Sequence, residues 1–303
     1  MTRLARLFLF VLAAPVMLSG CATYNMTKPA PAQAQPIAIA ISSEGPSGWS
    51  DLPIGAYRVP KTNVIISGHQ SGGSAGAMFG VIGILTQDAI ETGTGARAVK
   101  SAEDALRVDL VPQTQAVTQK MLASERFAQA FTLSAAEKGP ALTVVPYLVV
   151  TFASDTEARP YVVLKTTLKQ AGGADWVTRY SASIGKPLPL AGENSLTADG
   201  GKILGEQLAH DVESAVGAML DDVMTRHVRD ENKMLYVESR YPYLRQRIAG
   251  PGYQLGENDS EIVFLPKFPD ATVMAGIHVL DKSQIVYRPA TKDDKPKLLE
   301  DGQ

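Results

Sequence analysis

The chain has 303 residues, of which 45% are hydrophobic, and its 29 basic and 31 acidic residues give a formal net charge of −2. The hydrophobic fraction is ample for a buried core, and the length suggests one large or two small domains. A mildly acidic chain lacks the basic face that nucleic-acid binding requires, so we expect no nucleic-acid partner.

The first twenty residues have the pattern of an export signal. Arg3 and Arg6 precede an apolar run over residues 7–18, and small residues follow it. The run is about a dozen residues long, whereas a helix needs roughly twenty to cross a hydrocarbon core. The sequence therefore predicts a signal peptide over residues 1–20 rather than a retained transmembrane helix.

The signal ends in Leu18-Ser19-Gly20-Cys21, and Cys21 is the only cysteine of the chain. This stretch resembles the lipobox of bacterial lipoproteins, in which a signal peptidase cuts before the cysteine and the thiol then carries diacylglycerol. The resemblance implies that Leu18, Ser19 and Gly20 are recognised by the peptidase and that Cys21 is acylated. Ala22, where inner-membrane lipoproteins carry aspartate, implies the outer membrane on its periplasmic side. An ordinary secretory signal with a chance cysteine is the alternative.

Residues 21–50 are predicted to be an acylated N-terminus and a mostly disordered tether. Residues 22–36 are rich in Pro, Ala and Gln with almost no large apolar side chain, which is typical of an extended linker. The run "IAIAI" at residues 37–41 fits a first strand. Farther on, residues 54–59 and 63–68 are β-branched and aromatic runs on either side of a short polar turn, which predicts a hairpin.

The stretch "GHQSGGSAGAMFG" follows this hairpin and raises the question of a nucleophile. A hydrolase elbow, Gly-x-Ser-x-Gly, has a glycine two residues before its serine, but the residue two before Ser71 is His69. An envelope serine hydrolase that uses Ser71 is therefore retained only as an alternative. A phosphate-binding loop needs a lysine after its glycines, and no lysine occurs between Val64 and Arg97.

Glycines recur every fourth residue in the same stretch, at Gly72, Gly76 and Gly80, with Gly83 nearby. This spacing predicts a glycine-rich helix over residues 72–92 with a smooth strip for close packing. It resembles the glycine-zipper segments of bacterial envelope lipoproteins, which implies a second alternative, a membrane-associated oligomer. A helix packed inside its own domain is the simpler interpretation, because the apolar part is short for a bilayer span.

The middle of the chain has the pattern of helices followed by a meander. Residues 101–104 fit a capping box that opens a helical region, which Pro112 divides. Three strand-like runs follow, at residues 141–152, 161–171 and 175–184. Their β-branched composition and the glycine pair between the last two predict an antiparallel meander.

An apolar residue recurs every four positions from 204 to 224, which predicts an amphipathic helix laid across this sheet. Residues 51–230 are thus predicted to form an α+β periplasmic domain, an antiparallel sheet packed by a long amphipathic helix. Residues 231–290 should form a β-rich C-terminal region, in which residues 281–283 are the turn of a final hairpin. Residues 291–303 alternate in charge and are predicted to be a solvated tail.

No complete catalytic or metal-binding motif is present in the sequence. Three histidines of the second half have no spacing that selects a catalytic base. They are His210, His227 and His278. The charges Asp155, Glu157 and Arg159 lie near a predicted strand end and are interpreted as a solvated loop. Without a Cys pair or His-Glu-x-x-His, we expect no metal site, and we expect no cofactor and no catalytic residue.

A strand meander followed by a long helix is similar, at the level of fold, to periplasmic α/β domains of envelope-assembly lipoproteins. The similarity implies a non-enzymatic, lipid-anchored outer-membrane lipoprotein. Its expected partners are the membrane, through the acyl anchor on Cys21, and an envelope protein or a second copy of itself. The role would lie in assembly, transport or maintenance of the envelope. Because one fold hosts many functions, this expectation rests on analogy.

Overall fold

The computed structural model describes residues 28–34, 36–48, 51–53, 55–68, 106–133, 140–169, 174–267 and 275–299. These residues form a mixed sheet of 14 strands with a long helix packed on it. The strands are β1 (Ile37–Ile41), β2 (Tyr57–Arg58), β3 (Val64–Ser67), β4 (Phe131–Leu133), β5 (Ala141–Phe152), β6 (Glu157–Leu168), β7 (Trp176–Ser183), β8 (Leu188–Pro189), β9 (Met234–Ser239), β10 (Arg247–Glu257), β11 (Glu261–Pro266), β12 (Ile277–Asp281), β13 (Val286–Pro289) and β14 (Lys297–Leu299). The helices are α1 (Val111–Leu122), α2 (Glu125–Ala128) and α3 (Lys202–Thr225).

The sheet has the order β13-β9-β10-β11-β12-β7-β6-β5-β1-β4, with β2, β3, β8 and β14 paired beside this path. The antiparallel meander β5-β6-β7 and the hairpin β2-β3 are confirmed. However, β1 pairs in parallel with β4 and β5, β3 with β5, and β12 with β7. The prediction of a wholly antiparallel sheet is therefore wrong, because strands far apart in the chain return to the sheet through long crossovers.

Strand β1 lies inside the sheet, between β4 and β5. Ile37 and Ile39 are buried there, and Ala30, farther towards the N-terminus, is completely buried as well. The prediction of a mostly disordered tether up to residue 50 thus needs correction where Ala30 is buried, whereas the strand predicted at residues 37–41 is confirmed. Their alternating Ile and Ala side chains fill the core while their backbone groups pair with two neighbouring strands.

Helix α3 confirms the predicted amphipathic helix and packs on one face of β6, β7 and β12, here called the helix face. The apolar side chains that it buries against the sheet include Leu204, Leu208, Val212, Val216, Met219, Leu220 and Val223. Helix α1 packs on α3. Pro112 stands in the first turn of α1 instead of dividing a helix, because a proline there forfeits no intrahelical hydrogen bond.

The C-terminal strands continue the same sheet. Strand β12 lies between β11 and β7, and Gly276, with φ of 132°, permits this approach, since a Cβ on it would lie 2.6 Å from the backbone oxygen of Arg179. The predicted hairpin of β12 and β13 is wrong, because β13 pairs with β9. Part of the predicted solvated tail is also a strand, since β14 pairs with β10.

The sheet face opposite α3, here called the far face, is also covered. A cluster of buried side chains lies on its β3, β5 and β6 portion, together with Tyr243 from the β9–β10 connection, and Leu52 and Ala56 pack against it. A second cluster is formed by β9 to β12 with Tyr241 and Leu244 of the same connection. Both faces of the central strands are therefore shielded from solvent.

Candidate functional site

A layer of buried polar side chains lies on the far face. Along β6 and β7 successive side chains point to opposite faces, so every second residue reaches this layer. Lys165 is its partly buried member on the strands, and the buried ones are Arg159, Tyr161, Arg179, Ser181, Ser183 and His278. The layer brings together titratable and hydroxyl side chains of the described residues. These side chains form two hydrogen-bond networks.

The first network is centred on Asp51, which is completely buried. Its Oδ1 accepts a hydrogen bond from Arg179 Nη2 at 2.9 Å, and its Oδ2 accepts from Lys165 Nζ at 2.5 Å and from the backbone N–H of Ser47 at 3.1 Å. The Tyr243 hydroxyl donates to the backbone oxygen of Asp51 at 2.8 Å. The carboxylate of Asp51 thus binds two cations and fastens residues 47–51 to the far face.

Burial also governs the tyrosine beside this network. Removal from solvent raises the pKa of Tyr147 well above its usual value, and the nearby Tyr243 and Asp51 raise it further, against the opposing effect of Arg179. The Tyr147 hydroxyl therefore stays protonated at neutral pH. A neutral, buried hydroxyl suits packing and hydrogen bonding better than proton abstraction.

The second network contains a serine–histidine pair. Ser181 Oγ and His278 Nδ1 are hydrogen-bonded at 2.6 Å, and the ring of Tyr241 packs edge-on against the imidazole with centroids 4.9 Å apart. Both Ser181 and His278 are buried. The cavity beside them has a volume of about 10 Å³. Such a space holds one water molecule and excludes an ester or a peptide.

Arg159 and two hydroxyls line the same cavity. Arg159 Nη2 donates to the backbone oxygen of Gly185 at 3.0 Å, but Arg159 Nε, the Tyr161 hydroxyl and Ser183 Oγ are buried without a hydrogen-bond partner. Burial raises the pKa of Tyr161 to about 12, although the Arg159 cation opposes the rise.

The burial of Arg159 shows that the interpretation of residues 155–159 as a solvated loop is wrong for this residue. Asp155 is exposed, but Arg159 is only 6% exposed. It is the third residue of β6, and its side chain extends under the chain that leaves β7. Periodicity could have indicated this burial, because Arg159 continues the alternate positions 161, 163 and 165 of the strand.

The carboxyl group of Asp211, on α3, is completely buried. Asp211 Oδ1 accepts the backbone N–H of Ile184 at 2.7 Å, whereas its Oδ2 has no hydrogen-bond partner. Burial raises the pKa of Asp211 to about 8, although the Ile184 hydrogen bond and Arg159 oppose the rise. By contrast, the buried Asp222 is paired with Arg229 at 2.8 Å and with the Tyr180 hydroxyl at 2.9 Å.

The histidines considered as catalytic bases lie in three separate networks. His278 pairs with Ser181, and His227 Nε2 lies 2.8 Å from Asp221 Oδ2. On the surface of α3, Ser214 Oγ donates to Glu261 at 2.7 Å and lies 3.5 Å from His210. A catalytic triad needs the histidine between the serine and the acid, and this arrangement places the serine between them instead.

Several predicted residues lie outside the described part of the chain. These are Leu18, Ser19, Gly20, Cys21, Ser71, Gly72, Gly76, Gly80 and Gly83, with the predicted helix 72–92. Among the residues that are described, no group of three or more His, Cys, Asp or Glu side chains could hold a metal ion. Nor does any described helix combine the length and apolarity of a membrane span.

The comparisons with known proteins add no family. No protein-family model matches the chain, and no curated protein sequence matches it. The interpretation of function therefore depends on the residues themselves and on the geometry of the far face. That geometry consists of the buried Asp51–Arg179 pair and of the buried Ser181–His278 pair beside a cavity of about 10 Å³.

Proposed function

We propose that the chain is a lipoprotein of the bacterial outer membrane, acylated at Cys21, whose folded body faces the periplasm and binds an envelope partner without catalysis. The observation that carries the proposal is the contiguous Leu18-Ser19-Gly20-Cys21, which follows a basic and apolar leader and ends in the only cysteine. Two or three acyl chains would hold the body at the membrane, since each buried methylene contributes about 0.8 kcal/mol.

The closed geometry of the far face supports a binding role over a catalytic one. The Ser181–His278 pair is buried beside a cavity of about 10 Å³, and Asp51 is occupied by two cations. Catalysis needs a nucleophile that a substrate can approach. These groups instead hold the β9–β10 connection and the N-terminal segment on the sheet, which favours a rigid binding body.

The last two strands are the surface that we assign to the partner. In the described chain, the large apolar side chains with the greatest exposure are Val228, Val286, Tyr287 and Leu298. Three of the four lie on β13 and β14, and β13 is at the edge of the sheet. Exposed apolar and aromatic side chains are typical of the centres of protein interfaces.

Acylation is tested by metabolic labelling with palmitate and by membrane flotation. The wild type should take up label and float with membranes, and Cys21→Ser should do neither. A matched control is the double variant Cys21→Ser/Met26→Cys. It keeps one cysteine but places it outside the lipobox-like residues 18–21, so it should also remain unlabelled. Labelling and flotation of Cys21→Ser would contradict the proposal.

The side of the envelope is tested by membrane fractionation. The acylated wild type should be found with the outer membrane, and Ala22→Asp should shift it towards the inner membrane if the sorting rule of enteric lipoproteins holds in the host. An equal distribution of wild type and Ala22→Asp would remove the argument for the outer membrane while leaving acylation intact.

The partner is tested by a photo-crosslinking amino acid placed at Tyr287, with Lys186 as the control position. Both side chains are exposed, but only Tyr287 lies on the assigned surface. In cells, the label at 287 should give a discrete crosslinked product that the label at 186 lacks. A fluorophosphonate probe tests catalysis in parallel, and labelling that disappears in Ser71→Ala would replace the binding proposal by a hydrolase.

A further inference from the structure

The described chain is fastened to the folded body very near the proposed acylation site. Trp176 Nε1 donates a hydrogen bond to the backbone oxygen of Lys28 at 3.3 Å, and Arg226 Nε donates one to the backbone oxygen of Ala30 at 2.9 Å. Trp176 begins β7, and Arg226 directly follows α3. The N-terminal segment is thus clamped where β7 begins and α3 ends, here called the anchor end of the body.

Helix α3 runs antiparallel to β7, so its N-terminal end lies opposite to the anchor end. Asp211, in the first half of α3, meets Ile184 at the exit of β7, and Asp222, near the end of α3, meets Tyr180 farther back along β7. Asp211 is fifteen residues before Arg226, so the exposed Lys186, which follows Ile184, lies roughly 22 Å from the anchor end along the helix.

The tether from Cys21 to the body is short compared with the body itself. Lys28 is seven residues after Cys21, and seven residues span at most about 25 Å even when fully extended. Helix α3 has 24 residues and is about 36 Å long at about 1.5 Å per residue. Because the tether is shorter than the helix, the end opposite to the anchor end cannot be the one that faces the bilayer.

We infer, on the basis of the acylation proposed above, that the anchor end rests against the lipid headgroups of the bilayer that holds the acyl chains. Val228, two residues after Arg226, is 78% exposed and offers an apolar contact to that interface. Lys28, Lys169 and Arg226 are exposed at the same end, together with the acidic Asp175. Cations near the surface favour anionic headgroups, so the contact suits an anionic lipid surface.

The experiment compares two labelled variants, Val228→Cys and Lys186→Cys, in the full acylated chain. Because the thiol of acylated Cys21 is blocked, each introduced cysteine is the only reactive thiol. Each protein carries a fluorophore on that thiol and is placed in vesicles whose anionic headgroups bear a quencher. The label at 228 should be quenched several-fold more strongly than the label at 186. Equal quenching, or stronger quenching at 186, would overturn the inference.

Lengthening the tether tests the physical cause. Insertion of twenty Gly and Ser residues after Met26 increases the maximal reach by roughly 70 Å, so the difference between the two labels should shrink. An unchanged difference would show that tether length does not determine the orientation. Both substituted positions are on the surface, and circular dichroism of the labelled proteins checks that they fold.

Flotation of the same samples separates the two proposals. If the labelled proteins fail to float with the vesicles, as Cys21→Ser should, the acylation proposal is contradicted. If they float but the labels at 228 and 186 are quenched equally, acylation stands and only the orientation is contradicted.

Discussion

The two faces of the central sheet are stabilised in different ways. On the helix face, Leu208, Val216 and their neighbours on α3 bury apolar side chains against β6, β7 and β12. On the far face, Asp51 and Arg179 are buried as an ion pair beneath the β9–β10 connection. Apolar packing tolerates substitution by side chains of similar volume, whereas a buried charge requires its particular partner.

The two kinds of stabilisation differ in how well they can be predicted from the sequence. Apolar packing leaves a periodic signal in the chain, and α3 was predicted from it. A buried ion pair leaves no such signal, because Asp51 and Arg179 are 128 residues apart. The following substitutions test whether the two faces respond as differently as this comparison implies. All are made in the Cys21→Ser background, so that urea unfolding can be followed without acyl chains.

The largest effect is expected for Asp51→Ala, which leaves Arg179 and Lys165 without their shared carboxylate. Breaking a buried ion pair by removing one partner costs about 3–5 kcal/mol. Asp155→Ala is the matched control, because Asp155 pairs with Arg245 but is 87% exposed, and exposed pairs contribute about 0–1 kcal/mol. Equal losses of unfolding free energy in the two variants would contradict the far-face network.

The next effect is expected on the helix face. Leu208→Ala should lower the unfolding free energy by about 2–5 kcal/mol, because it removes buried methyl groups and leaves a cavity. Leu208→Met conserves volume and should cost less than about 1.5 kcal/mol. If Leu208→Met lowered the unfolding free energy as much as Leu208→Ala, the helix face would require the particular shape of leucine, as the far face requires a particular charge.

A pH-dependent effect is expected at Asp211, whose pKa is raised to about 8. The unfolded chain releases this proton near pH 4, so between about pH 4 and 8 the folded state binds the extra proton and stability falls as pH rises, by up to about 1.4 kcal/mol per unit. Asp211→Asn should remove this slope from urea titrations, and Asp222→Asn serves as the comparison at a paired carboxylate. A slope retained in Asp211→Asn would assign the titration to another group.

The smallest effect is expected within the polar layer itself. Ser181→Ala removes the hydrogen-bond partner of His278 and should cost about 1–3 kcal/mol. Ser183→Ala removes a buried hydroxyl that has no hydrogen-bond partner and should change stability by no more than about 0.5 kcal/mol. The reverse order would mean that Ser183, rather than the serine–histidine pair, stabilises this region.

Patterns in consecutive residues predict individual helices and strands, but they do not predict which strands pair in the sheet. The hairpin β2-β3, the meander β5-β6-β7 and helix α3 were predicted because strand alternation and helical periodicity are written into consecutive residues. The same patterns do not predict the parallel pairings of β1, β3 and β12 or the separation of β12 from β13. These pairings depend on which strands, distant in the chain, compete for each edge of the sheet.

The same division holds for the candidate site. No spacing in the sequence selects His278 or places Ser181 beside it. The sequence also predicts that Arg159 is solvated, although its side chain lies under the chain that leaves β7. Nor does the periodicity of α3 by itself show that Asp211 is buried, because the backbone N–H that it binds belongs to Ile184 on another element.

The sequence by itself determined the acylation prediction at Cys21, the amphipathic helix and the central meander, because each is encoded in residues close together along the chain. Tertiary structure decided where the N-terminal residues are fastened to the body. By composition residues 22–36 resemble a long tether, yet Trp176 and Arg226 fasten Lys28 and Ala30 to the body. Such contacts join residues that are distant in the chain, and composition carries no record of them.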